Sequence, residues 1–498
     1  TEGEVVIEAY NHLGYAAAAL GNHEFDYGPL GPASVASSSG DDPFGALKAR
    51  LRQARFPILA VNVYEAGSGA RPEWLPSDGT AIVELKGLKI GLIGLITPST
   101  PNSTQPINVS TLSFGSLVPE TLAAARRLRD KGADLVIGIA HAGGKCSRFD
   151  DPTDLSSCDT EFGEIFELLR ELPPGLVDAM VAGHTHAELA HSVNGIPVVE
   201  TPGLGRSFAT LDLWVDPKTR RVLPERTAIG RNVAICAQVD AEAKSCDPRV
   251  LRDRPSVHWI PATFHGRRVV PDEGLDKLIA PVLARVGEEQ RRKLGLRVPS
   301  PMARDYDGES PLGDFLADSL RQMEGADVAL LNSGGLRADL PAGELEYGAI
   351  YEVIPFDNAI ATISVNGEEL RRLLHVAYGS RKGVFQVSGL KVTLARCPGQ
   401  GRVRAVALAD GRAIQSDKRY RVVLPDFLAR GGDGLGPVMS SLPPGRIDFG
   451  TARDLNLRDA LVRWWQKRGA PLVAPTLGRI QFVQGGASCA PDRALRAN

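Results

Sequence analysis

Three glycine-flanked stretches in the first half of the chain carry histidine: GNHEFD at 21–26, IAHAGG at 139–144 and GHTH at 183–186. Each follows or ends an apolar run of strand length. A tight turn after a strand exposes the next side chains at the carboxyl edge of the sheet, where α/β proteins place their sites. Asn22, His141 and His184 are therefore expected to reach one edge from three strands. Imidazole nitrogens and a carboxamide oxygen suit Zn, Mn, Fe or Co at a hydrolytic centre. Two such ions, roughly 3.5–4 Å apart, can hold a phosphoryl group and activate water for in-line displacement. A dinuclear centre usually needs a bridging carboxylate and more acidic ligands than these stretches contain, so the ligand set reads as incomplete.

The second half carries a different chemistry. NSGGLR, 332–337, follows an apolar strand; its glycines allow close backbone approach, and Arg337 offers a fork for phosphate or carboxylate. IPFDN at 354–358 sets Phe356 in a loop, and DFLARGGDG at 426–434 sets Phe427 and Asp433 in another. Two aromatic rings able to sandwich a flat base, with a carboxylate for ribose hydroxyls, make a nucleoside pocket in chemical terms. Taken singly, an aromatic after proline is usually core and GGDG is usually a turn.

The elements that position these residues alternate between strand and helix, which predicts an α/β layer architecture. A helix is predicted at 4–13 and strands at 15–20, 57–63, 82–85, 89–95, 134–140 and 177–182. Amphipathic helices at 119–130 and 162–171 lie between them, and strands at 196–199 and 208–215 are expected to finish the sheet. Residues 220–270 are irregular and rich in Arg and Pro. A charged helix at 272–293 reads as a connector. The second α/β unit has predicted helices at 311–323 and 367–377, and strands at 328–332, 390–395, 402–408 and 420–424. These assignments divide the chain into domains at 1–225 and 297–484, a linker at 226–296, and a loose tail at 485–498.

The 498 residues are too many for one ordinary core. A net charge of −2 argues against a polymeric nucleic-acid surface. Every apolar run is too short for a membrane helix. Of six cysteines, Cys146/Cys158 and Cys236/Cys246 bracket polar stretches at spacings unlike zinc knuckles. They read as local disulfides, which favours an oxidising compartment, with Cys397–Cys489 as a third, long-range candidate.

GNHEFDYG followed by GHTH on strand ends resembles the calcineurin-like metallophosphoesterase superfamily, and within it the 5'-nucleotidase/UDP-sugar hydrolase family. The resemblance spans nearly the whole chain and is weakest around 225–262. It implies an α/β sandwich catalytic domain joined by a helix to a C-terminal α/β nucleotide-recognition domain. It also implies two divalent ions (Zn, Mn, Co or Fe), with Asn22, His141 and His184 on one and His186 on the other. His23 would face the phosphoryl group and stabilise its developing charge, with Asp26 orienting the ring. In the second domain, Asn332 would touch the base, Phe356 and Phe427 would stack on it, and Asp433 would bind ribose. Arg337, beside Gly335, would approach the phosphate.

The family's earlier Asp-x-His and Gly-Asp motifs, which supply three further ligands, would precede Thr1. The helix at 4–13 resembles the one after the Gly-Asp motif, so one upstream βαβ segment is expected. The chain from Thr1 alone is then expected to be a poor catalyst, and its parent a good one. The loop opening the second domain, ARDYDGESPLGD at 303–314, departs from the family: Arg304 could serve a phosphate, but Tyr306 and Asp307 stand where further basic residues are expected. This favours a nucleoside monophosphate or cyclic nucleotide over phosphate-rich substrates.

The leading expectation is hydrolysis of nucleotide phosphate esters by metal-activated water, foremost as a 5'-nucleotidase, in a periplasmic or extracellular setting. Alternatives are a 2',3'-cyclic phosphodiesterase, a UDP-sugar hydrolase or a thiosulfate-pathway hydrolase. Another is a nucleotide-binding protein without turnover.

Overall fold

The computed structural model describes residues 1–36, 40–161, 163–251, 254–379, 383–397, 400–450 and 455–484. The tail expected beyond 484, and with it the partner proposed for Cys397, lie outside the described residues. The chain divides into two compact units: 1–101 with 108–281, and 102–107 with 282–498. The division falls at Pro281, inside the helix Glu273–Gln290.

The first unit is built on a six-stranded sheet in the order Thr80–Leu85, Leu88–Ile96, Leu135–His141, Ala179–Ala182, Ile196–Glu200, Leu189–Val193. The middle four strands are parallel, and the edge strands are antiparallel to their neighbours. Parallel strands are covered on both faces, and the sequences agree: Ile196–Glu200 is buried at every position. The helix Leu117–Asp130 covers one face, burying Leu117, Thr121, Ala124, Ala125 and Leu128 at helical spacing.

A second layer, Ala18–Ala19 paired in parallel with Ile58–Leu59, closes the sandwich. It comes very near the main sheet at Gly94, where an added Cβ would lie 2.2 Å from the Leu59 carbonyl oxygen. The Val61 amide donates to the Gly94 carbonyl at 2.8 Å across the same contact. Only glycine fits there.

The expected closing strand at 208–215 is not part of this sheet. Its pieces, Ser207–Phe208 and Leu211–Asp212, pair instead with Val233–Ala234 and Ala228–Ile229 in two-stranded ribbons. Neither piece has a buried residue, so nothing drives it into the core. The sheet is finished by the hairpin from Leu189–Val193 to Ile196–Glu200, whose turn is Asn194-Gly195 with φ of 53° and 76°. The region after 220 holds more ribbons around a small core of Cys236, Val239 and Ala262. Disulfides join Cys146 to Cys158 and Cys236 to Cys246.

The second unit centres on a five-stranded sheet ordered Gln386–Ser388, Val328–Leu331, Arg419–Pro425, Ile360–Asn366, Ile447–Asp448. Its alternate residues feed separate cores: Val328 and Leu330 join one cluster, Ala329 and Leu331 the other. The helix Pro311–Glu324 begins where the Ser310 hydroxyl accepts from the Gly313 amide, with proline in the first turn, and ends at Gly325 with φ 58°. The connector helix stops at Gln290, and Lys293–Val298 is a strand paired with Gly343–Glu346. No helix among the described residues is long and apolar enough to cross a membrane.

Candidate active site

Parallel strands Leu135–His141 and Ala179–Ala182 are neighbours, so the residues at and after their carboxyl ends emerge side by side. The strand Ala18–Ala19 contributes the loop that follows it. His141 Nε2 lies 2.8 Å from Asn22 Oδ1 and 3.2 Å from His184 Nδ1. Three donor atoms from three separate stretches thus converge. Their approach requires glycine: a Cβ on Gly21 would stand 3.0 Å from the His141 ring. Gly21 is also fixed by its amide, which donates to Glu24 Oε2 at 2.8 Å.

His141 is mostly buried, and burial, followed by the nearby His23 and His186, pushes its imidazole down to about 4. It is neutral at physiological pH, the form in which imidazole binds metals. His23 Nδ1 lies 2.6 Å from Asp26 Oδ2. The His186 ring packs over Gly203, whose Cβ would come within 2.8 Å of its Nδ1. The donor set of one carboxamide oxygen and imidazole nitrogens fits a divalent ion of the Zn, Mn, Fe or Co type.

The GHTH loop is strained. His184 and His186 both have left-handed backbone, with φ of 86° and 54°, a conformation that costs a non-glycine residue on the order of 1–3 kcal/mol. Between them, the Thr185 amide and hydroxyl meet Glu200 Oε1 at 3.0 and 2.6 Å. The other Glu200 oxygen accepts from the Gly144 amide at 3.0 Å. The Thr185 hydroxyl also lies 2.8 Å from the Gly144 carbonyl. One hydroxyl proton cannot serve both oxygens, whereas a protonated Glu200 supplies the second. Burial pushes the Glu200 carboxyl up to about 7, against the hydrogen bonds from Thr185 and Gly144. Sequence reasoning passed over Glu200; the signal available was a lone carboxylate ending the apolar run IPVV.

Cys146, Cys158 and His191 also come within 4.8 Å of one another. The sulfurs are bonded to each other, so this is a disulfide and not a metal site.

In the second unit, the Asn332 amide nitrogen donates to Asp433 Oδ2 at 2.7 Å, and both side chains are buried. This joins the NSGGLR loop to the GGDG loop. Asp433 is held at φ 51°, between Gly431 and Gly434, which also have positive φ. The Phe427 ring lies against Gly432, where a Cβ would come within 2.3 Å of it. Arg337 sits with its guanidinium carbon 5.8 Å from the centre of the Phe356 ring. Gly335 lies beside Asn332, its added Cβ 3.1 Å from Asn332 Oδ1. Arg304 donates to the Leu336 carbonyl at 3.0 Å, which puts it against the same loop. Tyr306 is there as well: Cβ atoms on Gly383 and Gly334 would lie 3.0 and 3.9 Å from its ring. The opening loop therefore brings a third aromatic ring to this site.

Residues 291–441 match the family described as "5'-nucleotidase, C-terminal domain". Over 97% of this chain and 86% of the other, the fold superposes on a 5'-nucleotidase precursor from Thermus thermophilus with a TM-score of 0.72, at 23% identity. The match at 291–441 is thus to a 5'-nucleotidase C-terminal domain, and the chain shares the fold of that 5'-nucleotidase precursor. Its relatives are distant. The cell wall protein Lmo0130 of Listeria monocytogenes is 24% identical over 91% of this chain, and the endonuclease YhcR of Bacillus subtilis is 23% identical over 86%. This chain spans 57% and 31% of their lengths. A 5'-nucleotidase of Vibrio cholerae is 25% identical over 92% of this chain and 78% of its own length. The region matched by the 5'-nucleotidase C-terminal domain carries the Asn332–Asp433 pair, and the sheet edge where Asn22, His141 and His184 meet lies in the first unit.

Proposed function

We propose that this protein hydrolyses nucleotide phosphate esters, foremost as a 5'-nucleotidase acting outside the cytoplasm. The carrying observation is the convergence of Asn22 Oδ1, His141 Nε2 and His184 Nδ1 at one sheet edge. Asn22, His141 and His184 hold one divalent ion, and His186 belongs to a second. When bound, the ions supply electrophilic activation of water and of the phosphoryl oxygens.

The chain's own residues do the rest. His23, oriented by Asp26, stabilises charge on the transferring phosphoryl group. Phe356 and Phe427 stack on the base, Asn332 contacts its edge, and Asp433 takes ribose hydroxyls. Arg337 approaches the phosphate over the open backbone at Gly335, with Arg304 as a further phosphate contact. The two disulfides support an oxidising compartment.

Phosphate release tests the reading. The full-length protein carrying this chain is stripped of metal, then assayed with AMP, UDP-glucose and cyclic AMP, with and without Mn2+ or Zn2+. Metal-dependent release from AMP, exceeding that from the other two, is expected. Failure to bind either ion, or release that ignores metal, overturns it.

A further inference from the structure

The two loops that carry His141 and His184 are fastened to each other through one side chain. Glu200 ends the strand Ile196–Glu200 and is 1% exposed. One of its oxygens takes the Thr185 amide and hydroxyl; the other takes the Gly144 amide. The fit is tight, since a Cβ on Gly143 would meet Glu200 Oε2 and the Gly183 carbonyl, each at 2.3 Å. Thr185 lies between two histidines with positive φ, so its anchorage fixes the backbone that joins them.

We infer that Glu200 is a positioning residue: through Thr185 and Gly144 it sets the spacing of His141, His184 and His186, and thereby the grip of the site on its divalent ion. The inference rests on the metal-dependent reading above. A packing role alone does not call for this residue type, because a buried carboxyl is costly to desolvate and an aliphatic side chain fills the same volume without that cost.

Glu200→Gln is the discriminating change. It keeps size, and its amide can still donate to the Thr185 hydroxyl, but it then cannot accept the Thr185 amide on the same atom. Mn2+ binding to the metal-stripped protein, followed by the loss of the free Mn2+ electron-spin signal, is expected to weaken at least tenfold. With AMP, kcat should fall at least tenfold at saturating Mn2+, with KM within threefold. Thr185→Val should show a smaller loss of the same kind, and Thr185→Ser should recover most of it. If Glu200→Gln does not fold, the Thr185 pair reads the same brace. Wild-type protein that binds no Mn2+ defeats the metal-dependent reading. Wild-type binding, with Glu200→Gln or the Thr185 pair equal to it in affinity and kcat, overturns the inference alone.

Discussion

At the residue scale, the candidate site rests on donors that are useful only in company. His141 Nε2 lies 3.2 Å from His184 Nδ1 and 2.8 Å from Asn22 Oδ1, which brings the three together. Removing one leaves two of this chain's donors at that ion, which weakens a divalent site. His184→Ala is therefore expected to lower bound metal to less than half and kcat by at least a hundredfold. Metal content by elemental analysis, read beside turnover, checks this, and full activity at full metal content would contradict it. Phe427 belongs to a different step. Its ring presses on Gly432 beside the Asn332–Asp433 pair. Phe427→Ala should raise KM for AMP roughly tenfold with kcat little changed, because the lost interaction serves bound substrate and transition state alike. Steady-state kinetics separate the two outcomes.

At the element scale, the sandwich works because a small residue lets two backbones meet. Gly94, in the middle of a parallel strand, accepts the Leu59 backbone at a distance no Cβ tolerates. Gly94→Ala is expected to destabilise the first unit by about 1–3 kcal/mol through forced separation of the layers. A urea melt of wild type and variant measures it, and superimposable curves would refute it. Several elements were readable at this scale because their signals are local. The helix Glu4–Leu13 appears at its predicted bounds, and Leu117–Asp130 extends its prediction by two residues. Others were not. Leu189–Val193 contains His191 and Ser192, which break the apolar run, yet it is almost wholly buried because Leu189 and Val193 pack into the core and His191 lies against Phe149. The helices Tyr347–Val353 and Leu457–Arg468 were missed likewise, the second because its two tryptophans and arginines blur the apolar stripe.

At the scale of the whole molecule, each unit has its own core and its own response to solution conditions. In the second unit Arg479 lies among three carboxyls. It pairs with both oxygens of Asp318 at 2.9 and 2.6 Å and lies 3.4 Å from Asp314, while Glu309 accepts the Arg479 amide at 2.8 Å. Asp314 is fully buried. Burial, and then the adjacent Glu309, push its carboxyl up to about 8, with Arg479 opposing. A carboxyl raised in the folded state favours folding most below its ordinary value of 3.8, and that contribution is lost as pH rises toward 8. The stability of the second unit should thus fall between about pH 4 and 8, by on the order of a few kcal/mol. Asp314→Asn should flatten that decline. Urea melts across this range provide the check, and an unchanged slope in the variant would rule the assignment out.

What the sequence determined by itself is the chemistry available and its distance from the nearest strand end: the residue types, the glycines beside them and the alternation of strand and helix are all local. The α/β class, the two disulfides and the strand-end placing of Asn22, His141 and His184 follow from such signals. Tertiary structure alone decided which strands are neighbours, and so which loops share an edge. It placed Glu200 beneath GHTH, set Tyr306 against the NSGGLR loop and paired the pieces of 208–215 in ribbons outside the main sheet. The physical reason is that pairing partners are chosen by burial and backbone approach between segments far apart in the chain, and periodicity within one segment carries no record of that choice.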